Sequence, residues 1–422
     1  MLNRTDPEFP FFKVDASYVE RVLVPVVTLL FIDSVLRGIR TPGRWAATHL
    51  LFNYDFGFTK RALLGSVVEA LNIPALYHYD FFFWFSLQIF IADALLLLSL
   101  LKNTLDINHG ATKAAALVFA SSLGVVFFAH SIGYFDQITL LVTLIALRIR
   151  GFYRRACFVA VSFSISLFIH EGGFLIFFPV LFLRFVVDID RHTTPTRIGT
   201  LCVLASGLSV LEFCIGRTHL DAVAAEAMHR ALQLKADYHL RQDAFLVLSR
   251  DIHDNRKVMI DIWKEPGVWR FFLSSLVATA PSIGYLLWSS LAALTRRRSG
   301  HFLYALVIAS ALAPLTLHVL GWDFSRWDTL TITTCFLTLT VVTMSFGPGS
   351  LPILSGRPFF SPLIPTALVA LNLGTCITLF DNYSVQLFPF EGHVTDVIDM
   401  TRGSAPFPPR PETCLPDEPQ CP

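Results

Sequence analysis

Charge is what this sequence has least of. Only 15% of its 422 residues are Asp, Glu, Lys or Arg, against roughly a quarter in ordinary soluble domains. With 54% hydrophobic residues and a mean hydropathy of +0.57, that deficit excludes a conventional water-soluble domain. A net charge of +1 leaves no basic surface of the kind nucleic-acid binding needs. A cleavable signal peptide is missing too: residues 1–19 are polar and contain proline, and no small-residue cleavage site follows the first apolar run. That run is therefore expected to remain as an anchor. No internal repeat is visible, so an inverted-repeat transporter gains no support. Cysteines are few. Cys157, Cys202, Cys214, Cys335 and Cys376 lie in apolar segments, where the expectation is a buried small residue. Cys414 and Cys421 lie in the tail CLPDEPQC, where a disulfide requires an oxidising compartment.

What the chain does have is apolar runs of about 17–25 residues, the length that crosses a hydrocarbon core. Reading runs and breakers gives about eleven spans, near 20–37, 80–101, 113–131, 136–149, 155–170, 172–188, 198–216, 270–294, 302–320, 328–346 and 362–380. The expected fold is an all-α polytopic transmembrane bundle over 1–380, with external loops at 38–79 and 217–269 and a proline-rich external tail at 381–422. Phe58–Leu71 carries Leu63, Leu64, Val67, Val68 and Leu71 at helical spacing, as in a helix lying on the interface. Within 217–269, Ala222–Leu234 and Ala244–Trp263 read as helices. Arg148, Arg150, Arg154, Arg155, Arg184, Arg191, Arg197 and Arg296–Arg298 fall in one set of loops, which places the N-terminus in the cytoplasm. The C-terminus is then extracytoplasmic in a multi-pass inner (plasma) membrane protein. Arg37, Arg40, Arg44, Lys60 and Arg61 on the first external loop run against that rule.

On this topology the scarce ionisable residues gather at the external face. Asp55 precedes Lys60 and Arg61 in NYDFGFTKRALLG. It either caps the amphipathic helix or acts as a base, with Lys60 or Arg61 neutralising a phosphate. Asp136 follows His130 in a short turn, where polar residues need no reason beyond solvation. His170-Glu171 interrupts a continuous apolar stretch; the following glycines permit a turn, but they do not call for an acid and an imidazole at membrane depth. The pair could bind a divalent metal, yet no third ligand stands at a fixed spacing. In GWDFSRWD, Asp323 and Arg326 are three apart and can pair on one helix face, making a clamp for phosphate. Trp322 and Trp327 suit an interfacial aromatic belt.

The layout resembles the GT-C class of polytopic glycosyltransferases, and DFGFTKRALLG and GWDFSRW resemble motifs of bacterial envelope-polysaccharide membrane proteins. The resemblance implies transfer of a sugar from a polyprenyl-phosphate-linked donor to an envelope glycan or lipid acceptor outside the cytoplasmic membrane. It implies Asp55 as the base, because that class places an acid in its first external loop; many members have two acids there, whereas here Asp55 is followed only by Glu69 and Asp80. His170 and Glu171 would contact the acceptor or a metal. Lys60, Arg61, Asp136, Trp322, Asp323 and Arg326 would line the substrate site, with Asp323 orienting Arg326. A polysaccharide polymerase or ligase is the alternative within the same biology. A transporter would place ionisable residues at the centres of several spans, and an assembly protein would dock partners on 217–269.

Overall fold

The computed structural model of the chain describes residues 16–106, 110–191, 193–294, 300–321, 323–346, 362–377, 385–390 and 392–403. All regular structure among them is helical. The order is α1 (Ala16–Gly38), α2 (Arg44–Leu50), α3 (Leu63–Leu71), α4 (Tyr79–Asp106), α5 (Gly110–Ala120), α6 (Leu123–His130), α7 (Asp136–Arg148), α8 (Phe152–Ile169) and α9 (Gly172–Arg191). Then come α10 (Pro195–Gly216), α11 (Ala222–Lys235), α12 (Gln242–Leu246), α13 (Ile252–Ile262), α14 (Pro266–Leu294), α15 (His301–Leu312), α16 (Phe324–Phe346), α17 (Leu363–Gly374) and α18 (His393–Thr401).

Eight described helical segments are long and apolar enough to cross a membrane: Tyr79–Asp106, Ala111–His130, Phe152–Ile169, Gly172–Asp190, Pro195–Gly216, Pro266–Leu294, His301–Val319 and Phe324–Ser345. The chain is thus a multi-pass membrane protein. Three further expected spans differ from these. The described part of α1 carries Arg21, Asp33 and Arg37. Helix α7 has 13 residues, about 20 Å at 1.5 Å per residue, against a hydrocarbon core of roughly 30 Å. Helix α17 has 12.

Helix boundaries follow local chemistry. The expected span at 113–131 is broken at Ser121–Ser122, where the Ser122 side chain accepts from Gly124 N–H and caps α6. Thr194 caps α10 ahead of Pro195, a residue that suits a first helical position because its missing N–H is not needed there. Ala222–Lys235 matches the expected external helix. The second expected external helix, Ala244–Trp263, is instead two: Asp251 accepts from Asp254 N–H and starts α13 afresh. Four of the cysteines expected to be buried, Cys157, Cys202, Cys214 and Cys376, are exposed, and only Cys335 is enclosed. For Cys157 on α8 and Cys202 and Cys214 on α10, an outward face on a spanning helix is a lipid face, where a small apolar thiol costs nothing. Cys414 and Cys421 lie outside the described residues.

Helix α16 is the centre of the bundle, packed by α6, α9, α14 and α15. Its threonines are compatible with this burial because their hydroxyls return to the helix's own carbonyls, as Thr331 does to Trp327, Thr340 to Phe336 and Thr343 to Leu339. At one end of the bundle, α2, α3, α11 and α12 build a second apolar cluster around Phe52, Phe82, Met228, Leu240 and Phe245. Met400 of α18 packs into it. This end, the site face, holds the first turns of α4, α7, α9, α14 and α16 and the last turns of α1, α6, α8 and α10.

Candidate functional site

Two glycines let the site assemble. A Cβ on Gly173 would lie 2.3 Å from Thr139 Oγ1. Only a bare α-carbon therefore allows the start of α9 to approach α7 closely, which brings His170 and Glu171 beside Asp136. A Cβ on Gly65 would lie 2.1 Å from Phe52 O, so α3 lies directly on the chain leaving α2. That contact fixes the loop 53–61, and stacking of Tyr54 on Phe58 and the edge contact of Phe58 with Phe168 hold it over the end of α8.

From these supports a chain of charges runs through the site face. Arg61 grips Glu171 with both arms of its guanidinium, Nε donating to Oε2 at 2.8 Å and Nη2 to Oε1 at 2.6 Å. Glu171 Oε2 lies 3.8 Å from His170 Nδ1, and His170 Nε2 lies 3.1 Å from Asp136 Oδ1. Asp136 Oδ2 accepts from Arg326 Nε at 2.8 Å and also from Nη2. Arg326 Nη1 donates to Asp323 at 3.2 Å, the pair expected from their spacing. The Arg326 guanidinium also stacks against Tyr134 and Trp327. Asp136, His170 and Arg326 are all buried. Four chain segments, remote in sequence, thus supply one continuous network.

The electrostatics are those of a closed, balanced site. Burial pushes the Glu171 carboxyl up, but the charges of Arg61 and Lys60, the Arg61 hydrogen bonds and His170 outweigh it and hold it well below the usual carboxylate range. Burial lowers the Lys60 ammonium despite opposing help from Glu171, Asp251 and Glu212; its Nζ donates to Arg250 O at 2.7 Å, tying the loop 53–61 to the segment between α12 and α13. Arg61 is one of three described non-glycine residues with positive φ, at 64°. Such a conformation costs of order 1 kcal/mol or more, offset here by the forked ion pair.

A narrow cavity of about 10 Å³ opens beside the network, room for about one water molecule. It is ringed by Trp45, His49, Gly133, Tyr134, His170 and Arg326. Burial, reinforced by the Arg61, His170 and Arg326 charges, lowers the His49 imidazole well below its ordinary value, against a small opposing pull from Glu171.

Of the residues singled out in the sequence, Arg61, Asp136, His170, Glu171, Asp323 and Arg326 come together, and Lys60 is within electrostatic reach of Glu171. Asp55 is not drawn into the network: its side chain is exposed on the loop, and its backbone N–H donates to Asn53 Oδ1 at 3.3 Å. It does not cap a helix, since α3 starts at Leu63 with Ala62 before it. Trp322 lies outside the described residues. Asp328 turns to the opposite side of α16, where it accepts from Ser275 Oγ at 2.6 Å and lies 3.0 Å from His318 Nε2. No group of three or more potential metal ligands occurs among the described residues, so nothing there supports the divalent metal considered for His170 and Glu171.

Three polar residues escaped the sequence reading. His49 in RWAATHL gave no signal, because an imidazole in a short external helix looks solvated. Glu212 and Asp93 did give one: each is a lone acid inside an apolar run. The Asp93 carboxyl is buried with no hydrogen-bond partner, and one oxygen of Glu212 is likewise buried and unpartnered. No family model matches this chain, and neither a curated protein nor a solved structure matches it.

Proposed function

We propose that this protein is a membrane glycosyltransferase, moving a sugar from a polyprenyl-phosphate-linked donor to an envelope glycan or lipid acceptor at the extracytoplasmic face of the plasma membrane. The observation that carries the reading is the continuous acid–base network joining Arg61, Glu171, His170, Asp136, Arg326 and Asp323 at one end of an apolar bundle. Buried charge in such a protein is expensive, and it gathers where polar substrates are handled.

In this reading Asp55, exposed on the loop that delivers Lys60 and Arg61, takes the proton of the acceptor hydroxyl as that oxygen displaces the lipid phosphate from the anomeric carbon with inversion. The leaving phosphate competes with Glu171 for the Arg61 fork, whose planar array of donors suits either anion. Arg326 is held by two aspartates, so it stiffens Asp136 and through it His170. Glu171, once Arg61 turns to phosphate, is free to contact the acceptor.

The test is transfer from polyprenyl-phosphate-linked sugars by the purified protein in nanodiscs. Asp55→Asn should lose at least 100-fold in rate, the scale of a lost general base, with an unchanged thermal midpoint. Full turnover by that variant would remove Asp55 from the reaction.

The buried acid at the middle of α4 favours one other reading, a transporter, because Asp93 is an ionisable group at the centre of a spanning helix. Counterflow in proteoliposomes that is abolished by Asp93→Asn would establish it.

A further inference from the structure

We infer that the cavity ringed by Trp45, His49, Gly133, Tyr134, His170 and Arg326 is a carbohydrate subsite that takes one sugar hydroxyl. The inference deepens the transferase reading and rests on it for the choice of sugar as ligand class.

The first argument is unsatisfied polarity. His49 is 2% exposed and its Nε2 has no hydrogen-bond partner. His170 Nδ1 also lacks a hydrogen bond, but it faces the Glu171 carboxylate at 3.8 Å. A buried polar atom left unpaired is costly, and the unpaired Nε2 of His49, on the residue set lining a 10 Å³ space, marks a place built for an oxygen atom. A hydroxyl both donates and accepts, so it can meet either tautomer of His49.

Charge decides between a hydroxyl and a phosphate oxygen. Arg326 is already met by Asp136 and Asp323, and burial disfavours the charged form of His49. The wall of the cavity therefore offers hydrogen bonds without a spare positive charge, which suits a neutral guest. A phosphate would be better served by Lys60 and Arg61.

Shape supplies the third argument. Trp45 is only partly buried and stacks on Tyr134, with ring centroids 5.7 Å apart and an interplanar angle of 21°. It also packs against His49, at 3.7 Å between centroids, and its remaining exposed surface borders the recess. An aromatic face beside a single polar recess accommodates a sugar ring, whose C–H face is apolar and whose edge carries hydroxyls; ligand sites generally combine apolar walls with few, placed polar groups. A free water would need the recess but not the aromatic rim.

Saturation-transfer NMR on the full chain in nanodiscs tests this, using methyl glucopyranoside, methyl galactopyranoside and methyl mannopyranoside, with inorganic phosphate as competitor. At least one glycoside should receive saturation. His49→Phe, which keeps an aromatic ring among Trp45, Phe52 and Phe135 but removes the nitrogens, should abolish the signal. Trp45→Ala should reduce it at least fivefold, while His49→Gln, which retains a polar group, should keep part of it. Equimolar phosphate should leave it unchanged. Silence from all three glycosides, a signal that survives both His49→Phe and Trp45→Ala, or displacement by phosphate would overturn the inference. No donor or turnover enters the readout. Sugar binding without transfer would therefore refute the transferase alone, and transfer without binding at this cavity would refute the subsite alone.

Discussion

Glu171 and Arg61 show how much rests on single side chains here. Removing one partner of a fully buried ion pair typically costs about 3–5 kcal/mol, because the other charge is left uncompensated; Arg61 and Glu171 are 11% and 15% exposed, so the loss here should be smaller. Glu171→Gln should therefore lower the thermal midpoint of the detergent-solubilised protein at pH 7. The pH dependence has a definite sign. The folded-state pKa of Glu171 is depressed below its ordinary 4.5, so its stabilisation is fully present above pH 4.5 and is lost as pH falls through the folded value. The gap between wild type and Glu171→Gln should shrink below pH 4.5; a constant gap would mean that the carboxylate is not what stabilises the pair. At this scale the sequence was legible wherever a charge interrupted an apolar run, as at His170-Glu171 and Asp323/Arg326. It was not legible at His49, whose burial depends on Phe135 coming from a distant segment to meet Trp45 and Phe52 beside it. Nor could the chain show that Asp55 stays outside the network while its neighbour Arg61 enters it.

Helix α4 poses the question of Asp93. It sits midway along a spanning helix with both carboxyl oxygens buried and unpartnered. Burying such a group without a hydrogen bond is unfavourable, so its presence is not explained by packing. Asp93→Leu should raise the thermal midpoint, because it replaces unsatisfied polar atoms with apolar ones among Phe90, Leu97 and Leu100. A lowered midpoint would show that the carboxyl has a partner essential to the fold. Helix α16 makes a related point about faces. Asp323 and Arg326 serve the network while Asp328, two residues beyond Arg326, serves Ser275 and His318. The spacing announced the first pair, but Asp328 needed the partners on α14 and the preceding turn to be visible. Element existence was readable from apolar runs. The breaks at Ser121–Ser122 and Asp251 were set by capping side chains, which the hydropathy of the runs did not reveal.

At the scale of the whole molecule, the two ends differ in how their charges are used. At the end opposite the site, Arg155 is buried, donates from Nε to Ala146 O and from Nη2 to Ile149 O, and pairs with Asp188; it closes the end of α7. Arg148 donates to Leu96 O and Arg184 to Ser345 Oγ. Those arginines cluster at the helix ends on that side, which the positive-inside rule assigns to the cytoplasm, so the site face should be extracytoplasmic. In a cysteine-free background, a membrane-impermeant maleimide added to intact cells should label Asp237→Cys and spare Arg150→Cys. The reverse pattern would invert the topology and move the site to the cytoplasm. The loop cations Arg37, Arg40, Lys60 and Arg61, which conflict with that rule in the sequence, are engaged in the structure. Arg37 is buried against the carbonyls of Asn372, Thr375 and Gln386, and Arg40 donates to His130 O. They serve the fold and the site.

The central claim is that the buried network is the reaction centre, and Arg61→Lys tests it most directly. Lysine keeps the positive charge and bears the same backbone cost at positive φ, but it loses the fork that grips Glu171 or a phosphate. Losing one charge-assisted hydrogen bond of about 1.5–3 kcal/mol in the transition state predicts a fall of roughly ten- to hundredfold in kcat/KM for transfer from a polyprenyl-phosphate-linked sugar. A variant that folds as the wild type and transfers within twofold of its rate would contradict the claim.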